Sequence, residues 1–201
     1  RQAVTAWANK EYERYINIWK DLGETYKQDP QKVADEIAKA EFQILKTNME
    51  NAWASGDEQA IIDACRKVLS ADSGNERALL LQTLVNTRRR FYDQLAVGER
   101  EANKGNYGDS KLAIRRAREI AETISDAVIR DELVRIANTR ASEVEYIDNF
   151  SKARRDFENG KFKEAKGWVS GALKEKKTDE AKALEVKIDA ALAKQAIEKG
   201  L

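Results

Sequence analysis

The sequence predicts an all-α fold: an antiparallel helical-hairpin array of about eight helices, either an α-solenoid or an elongated bundle. Three observations carry this. The 201 residues include a single proline and 35% charged side chains, a composition that suits long helices with one face in water. Apolar residues recur at three- and four-residue steps along most of the chain, which is the period of a helix face. No segment sustains the alternation of a strand, so no sheet is expected.

Residues 2–28 read as one helix, with Val4, Trp7, Tyr12, Tyr15, Ile16, Trp19, Leu22 and Tyr26 at helical spacing. Gln28-Asp29-Pro30 then interrupts it. Asp29 suits an N-cap and Pro30 the first helical position. A second helix reaches about Ser55, with Val33, Ile37, Ala40 and Ile44 on one face. A short helix follows Asp57 and ends near Ala71, before the turn cluster Asp72-Ser73-Gly74-Asn75. The next helix spans 76–104 and carries Leu79, Leu80, Leu81, Leu84, Val85, Phe91 and Leu95. At ~1.5 Å per residue it is over ~40 Å long. A second short helix covers 109–124. Ser125-Asp126 opens another long one, to about Asn159, through Ile129, Leu133, Ile136, Val144, Ile147 and Phe150. A third short helix runs from Lys163 to Glu175. The last, capped by Thr178 or Asp179, carries Ala181, Leu184, Ile188 and Leu192. Connections this short place successive helices antiparallel. Long helices that outrun short neighbours need further cover, from one another or from a second molecule.

The turns between helices repeat. Around Gly160 the apolar or small positions are Ala153, Phe157, Phe162, Ala165, Val169, Ala172 and Leu173. Around Gly105 the same offsets hold Gly98, Ala102, Tyr107, Ser110, Ile114 and Ala117; around Gly56 they hold Met49, Trp53, Ile61, Cys65, Val68 and Leu69. A glycine there suits a helix end that needs a left-handed residue, so Gly160 is expected at positive φ. The pattern resembles the tetratricopeptide repeat, whose hairpin has Gly, an aromatic two residues on, then Ala and a second small residue seven later. Gly160, Phe162, Ala165 and Ala172 match it. Gly105, Tyr107 and Ala117 match with Ser110 in the Ala place, and Gly56 is followed by Glu58 where the aromatic would stand. The family period is ~34 residues, whereas these glycines lie about 50 apart. The resemblance therefore implies TPR-like hairpins with a lengthened first helix. The organisation expected is one array over 1–201. It has a long helix pair at 2–55, then units 56–104, 105–159 and 160–199, each a short helix followed by a long one.

Composition removes several chemistries. There is no histidine, so Ser-His-Asp and Cys-His catalysis and imidazole metal sites are not expected. Cys65 is the lone cysteine and sits on the apolar face of a short helix, which reads as a buried structural thiol. Gly105-Asn106-Tyr107-Gly108 follows a helix rather than a strand and reads as a hairpin turn, not a nucleotide loop. No catalytic residue, cofactor or metal is expected. No apolar run approaches a membrane span. A chain starting at Arg1 fits either an exported protein whose leader has been removed or a trimmed cytoplasmic one.

The function expected is a non-catalytic protein–protein interaction scaffold or adaptor, the class that the tetratricopeptide resemblance implies. The alternatives are a structural subunit of a larger, extracytoplasmic assembly and a regulatory ligand-binding bundle. Candidate partner-binding residues are the aromatic stripe Trp7, Tyr12, Tyr15 and Trp19 and the basic clusters Arg88, Arg89, Arg90 and Arg115, Arg116. Acidic neighbours and a net charge of only +1 argue against nucleic acid and for a protein partner or self-association. Residues 1–60 hold 8 basic and 11 acidic side chains, residues 150–201 hold 13 and 9, a bias that end-to-end association and solvated faces explain equally well.

Overall fold

The computed structural model describes residues 1–198 and 200. Among them the chain is all-helical, without strands: α1 (Gln2–Ala8), α2 (Tyr12–Tyr26), α3 (Pro30–Ser55), α4 (Glu58–Ala71), α5 (Glu76–Asn103), α6 (Tyr107–Glu122), α7 (Ala127–Glu158), α8 (Phe162–Glu175) and α9 (Asp179–Glu198). Successive helices pack as neighbours, and their short connections make them antiparallel. The chain forms two compact units, Arg1–Asn86 and the residues from Thr87 onward, and the boundary falls inside α5.

The nine helices among the described residues exceed the expected eight because 2–28 is not continuous. It breaks at Lys10, which takes a left-handed φ of 60°. The Glu11 N–H donates to Ala6 O at 2.9 Å and the Lys10 N–H to Trp7 O at 3.0 Å, the paired bonds of a Schellman turn. A lysine in this conformation costs on the order of 1 kcal/mol. The apolar spacing marks the break only by the five-residue step from Trp7 to Tyr12; Tyr12, Tyr15 and Trp19 keep the helical period beyond it.

That turn recurs at Gly105 and Gly160, with φ of 81° and 71°. The Asn106 N–H reaches Glu101 O at 2.9 Å and the Lys161 N–H reaches Asp156 O at 2.8 Å. The residue after each left-handed position, Glu11, Asn106 or Lys161, has φ between −83° and −87° and ψ between 62° and 64°. Gly56 has φ 74° but a different sequel. Asp57 sits at ψ 104°, where its carboxylate caps α4 by accepting from the Gln59 and Ala60 N–H groups. The helices after these turns, α2, α4, α6 and α8, have 14–16 residues, whereas α3, α5 and α7 have 26–32.

In the first unit, Ala6, Tyr15, Ile16 and Ala40 form one core cluster. Met49, Ile61, Cys65, Val68, Ala78, Leu81 and Val85 form a second. Cys65 is fully buried, and burial pushes its thiol up in pKa, which keeps it protonated and inert. Leu79 and Leu80 are exposed while Leu81 is buried, since three consecutive residues cannot share one helix face. In the second unit, Ala153, Ala165, Val169, Ala181 and Ile188 join α7, α8 and α9. Ala165 and Ala172 are fully buried.

Two helical glycines give opposite expectations. At Gly98 on α5, an added Cβ would stand 2.9 Å from Ile114 Cγ1 and 3.3 Å from Ser110 O of α6. At Gly167 on α8, an added Cβ would meet nothing within 4 Å. Gly98→Ala should destabilise by about 1–3 kcal/mol through overpacking. Gly167→Ala should stabilise by up to ~1 kcal/mol through helix propensity. Thermal or urea denaturation reads both; equal shifts would contradict the close α5–α6 approach.

Candidate protein-binding surface

The second unit is built around a mismatch in length. α7 has 32 residues, while α6 has 16 and α8 has 14, or about 48 Å against ~24 and ~21 Å. Neither short helix can cover α7 from end to end. Lys111 and Tyr107 of α6 meet Glu145, Asp148 and Ser151 of α7. On α8, Trp168 bonds to Asp156, and Gly171 lies against Asn149. The chain leaving α8 reaches Tyr146, whose hydroxyl lies 2.6 Å from Thr178 Oγ1. The earlier turns of α7 therefore extend past the end of α8, and its later turns extend past the start of α6.

Each overhang leaves an open notch. The first has a volume of about 630 Å³ and is lined by Asp131, Val134, Arg135, Asn138, Thr139, Ser142 and Glu143 of α7, with Glu175 and Lys176 at the end of α8. Asp131, Arg135, Asn138 and Ser142 follow one another at four-, three- and four-residue steps, so they share one face. Among the described residues, the side chains of Arg135, Asn138 and Ser142 make no hydrogen bond or ion pair. The second notch, about 570 Å³, is lined by Gly105, Tyr107, Gly108, Lys111, Asp148, Ser151, Lys152 and Arg155.

A charge network fixes α6 against α7 beside the second notch. Lys111 Nζ lies 2.6 Å from both Glu145 Oε2 and Asp148 Oδ2, and Lys152 Nζ bonds Asp148 at 3.0 Å. Lys152 also stands 4.7 Å from the centre of the Trp168 ring, and the Trp168 indole N–H donates to Asp156 Oδ2 at 3.1 Å. Burial alone would raise the Asp148 pKa, but hydrogen bonds from Lys111 and Lys152 outweigh it and hold the carboxyl below its ordinary range. Burial likewise opposes the charge on Lys111, and its bonds to Asp148 and Glu145 reverse that and raise it. The local positive and negative charges cancel, so the network is a positioning element rather than an anion trap.

The residues singled out in the sequence fall into separate places. Trp7, Tyr12, Tyr15 and Trp19 form one ring cluster in the first unit, with Trp7 centroids 5.5 Å from Tyr12 and 5.0 Å from Tyr15, and Tyr15 6.2 Å from Trp19. Tyr15 is buried, and its hydroxyl donates to Glu36 Oε2 at 2.5 Å. Burial, then that bond, raises the phenol pKa. Trp7 is the ring of this cluster left most open. Arg88, Arg89 and Arg90 lie on α5 and Arg115 and Arg116 on α6. Arg89, Arg90, Arg115 and Arg116 are exposed, and none forms an ion pair among the described residues. Arg88 is half-buried, with an Nε that has no hydrogen-bond partner. Gly105, Tyr107 and Gly108 of the second notch were read in the sequence only as turn residues, and the other notch and network residues were not singled out. The one available signal was Asp148, four residues after buried Val144 and so on the same face.

Asp148→Asn should lower stability by on the order of 2 kcal/mol, because two lysines lose a charged acceptor. The sign with pH follows from the depressed carboxyl. Its contribution is present above the unfolded value of ~3.9 and is lost as pH falls through the lower folded value. The raised Lys111 contributes below its unfolded value of ~10.4 and that contribution is lost as pH climbs through the higher folded value. Melting temperatures across pH 2–5 should show a steeper acid loss in the parent than in Asp148→Asn; parallel profiles would contradict the network.

No group of three or more His, Cys, Asp or Glu among the described residues could hold a metal ion, and no described helix is long and apolar enough to cross a membrane. No protein-family model, curated protein or solved structure matches this chain.

Proposed function

We propose that this chain is a non-catalytic protein-interaction scaffold, assembled from TPR-like hairpins whose long helices outrun their short partners. The observation that supports it is the notch on α7, where Arg135, Asn138 and Ser142 present side-chain hydrogen-bonding groups with no partner among the described residues. A polypeptide segment laid along this face would satisfy those groups with its backbone amides, while Val134 meets an apolar side chain. Recurrence of one turn geometry at Lys10, Gly105 and Gly160 supports the repeat reading. The lengthened helices give each pair a face beyond what the hairpin itself covers.

A bait carrying Arg135→Glu and Asn138→Leu tests this beside the parent chain, in capture from the native source with quantitative mass spectrometry. Both baits should show the same far-UV circular dichroism, since both positions are exposed. The partner should be depleted about tenfold or more on the variant, equivalent to ~1.4 kcal/mol. Identical recovery on the two baits would contradict the notch as the binding face.

A further inference from the structure

A slot of about 270 Å³ lies inside the second unit, lined by α5, α6 and α7. Leu95 of α5, Ile114 of α6 and Val144 of α7 wall it and are buried. Ile147 of α7 lines it as well and is 42% exposed, so the slot meets solvent along an apolar edge. At ~30 Å³ per water it has the volume of about nine waters, just under the ~300 Å³ at which ordinary ligand pockets begin. That is room for one aromatic ring or a short alkyl chain. Of its lining residues only Glu143 also lines the first notch on α7.

The polar side chains at the slot are unequally satisfied. Glu99 and Asn103 stand four residues apart on α5 and so share a face. Arg140 and Glu143 stand across from them on α7. Arg140 Nη1 donates to Glu143 Oε2 at 2.8 Å, whereas its Nη2 lies 3.4 Å from Glu99 Oε1. The first is the length of a charge-assisted hydrogen bond and the second is too long for one. Glu143 is accordingly the main cause of the raised Arg140 pKa, and Glu99 the least. Among the described residues, neither the Glu99 carboxylate nor the Asn103 carboxamide makes a hydrogen bond.

The sign of the ligand's charge follows from two independent features. The slot is lined by two carboxylates and one guanidinium, a net of −1. It also lies beside the end of α5, where Glu99, Ala102 and Asn103 close the helix. The terminal carbonyls there carry the negative pole of the helix dipole, which favours a cation. Arg100 and Lys104 stand at the same helix end but do not line the slot, and Lys104 is paired with Glu101. A primary ammonium group brings three donors and no acceptor, which suits a free carboxylate beside a free carboxamide oxygen. We propose that the slot binds a small primary amine with an apolar body. Its ammonium group is held by Glu99 and Asn103, and its ring or chain lies against Leu95, Ile114, Val144 and Ile147. A carboxylate of the same shape would have to draw Arg140 away from Glu143, and an alcohol would leave the charge on Glu99 uncompensated. The site goes beyond the scaffold reading and does not rest on it.

Methyl-resolved NMR of the full chain, titrated with phenethylamine, tests this, with phenethyl alcohol and hydrocinnamate as neutral and anionic counterparts. Phenethylamine should shift the methyl signals of Leu95, Ile114, Val144 and Ile147 saturably and bind at least about tenfold more tightly than either counterpart. Glu99 and Asn103 are exposed, so variants at both should melt close to the parent. Glu99→Gln should weaken the amine about tenfold, and Asn103→Asp, which adds a second carboxylate, should tighten it. Any of four results would overturn the proposal: no saturable shift at these methyls, hydrocinnamate binding as tightly as the amine, Glu99→Gln binding as the parent does, or Asn103→Asp binding more weakly. The capture experiment changes Arg135 and Asn138, which do not line the slot, so either experiment fails without the other.

Discussion

A helix with apolar residues on two faces must be covered on both, and in the second unit this requirement dictates the packing. α7 satisfies it by lying between α6 and α8. Burial of Ala153, Ala165 and Val169 on one side, and the meeting of Lys111 with Asp148 on the other, hold the three together. Small residues at the seam let the backbones approach, and Gly98 does the same between α5 and α6. Because the flanking helices are half the length of α7 or less, coverage is complete only near its middle. The notches are the direct geometric result of that length difference.

The turns are the second device. A left-handed residue followed by one near φ −85°, ψ 63° reverses the chain and starts a short helix whose N-cap residue makes no side-chain cap hydrogen bond. The geometry is so uniform that a lysine is held in it at Lys10. Gly56, Gly105 and Gly160 take that conformation without a Cβ penalty, while Lys27 takes it at the α2–α3 turn. Asp57 shows the other solution, in which a carboxylate cap replaces the second backbone bond.

Much of the fold was legible in the sequence because helix period and turn glycines are local signals. Positive φ at Gly160, the burial of Ala165 and Ala172, the cap at Asp29 and the buried Cys65 all follow from neighbours within a few residues. The break at Lys10 was hard to read, since its one mark in the apolar spacing is the five-residue step from Trp7 to Tyr12 and lysine rarely marks such a turn. Nor was the exposure of Ile147, which lies on α7 between buried Val144 and half-buried Phe150. On a helix covered from two sides, periodicity cannot tell which apolar residue lies under a neighbour and which lies beyond it. The notches escaped for the same reason. Their lining depends on where α6 starts and α8 stops along α7, which is a tertiary register and not a property of any one segment.

Amide hydrogen exchange along α7, resolved by residue, tests most directly whether its covering is as unequal as the helix lengths imply. The middle and later turns, residues 144–153, lie between α6 and α8 and should exchange slowest in the helix. Residues 130–139, beyond the end of α8, should exchange measurably faster, through local opening of the less covered half. Equal protection along the whole of α7, or slower exchange in 130–139 than in 144–153, would contradict the account.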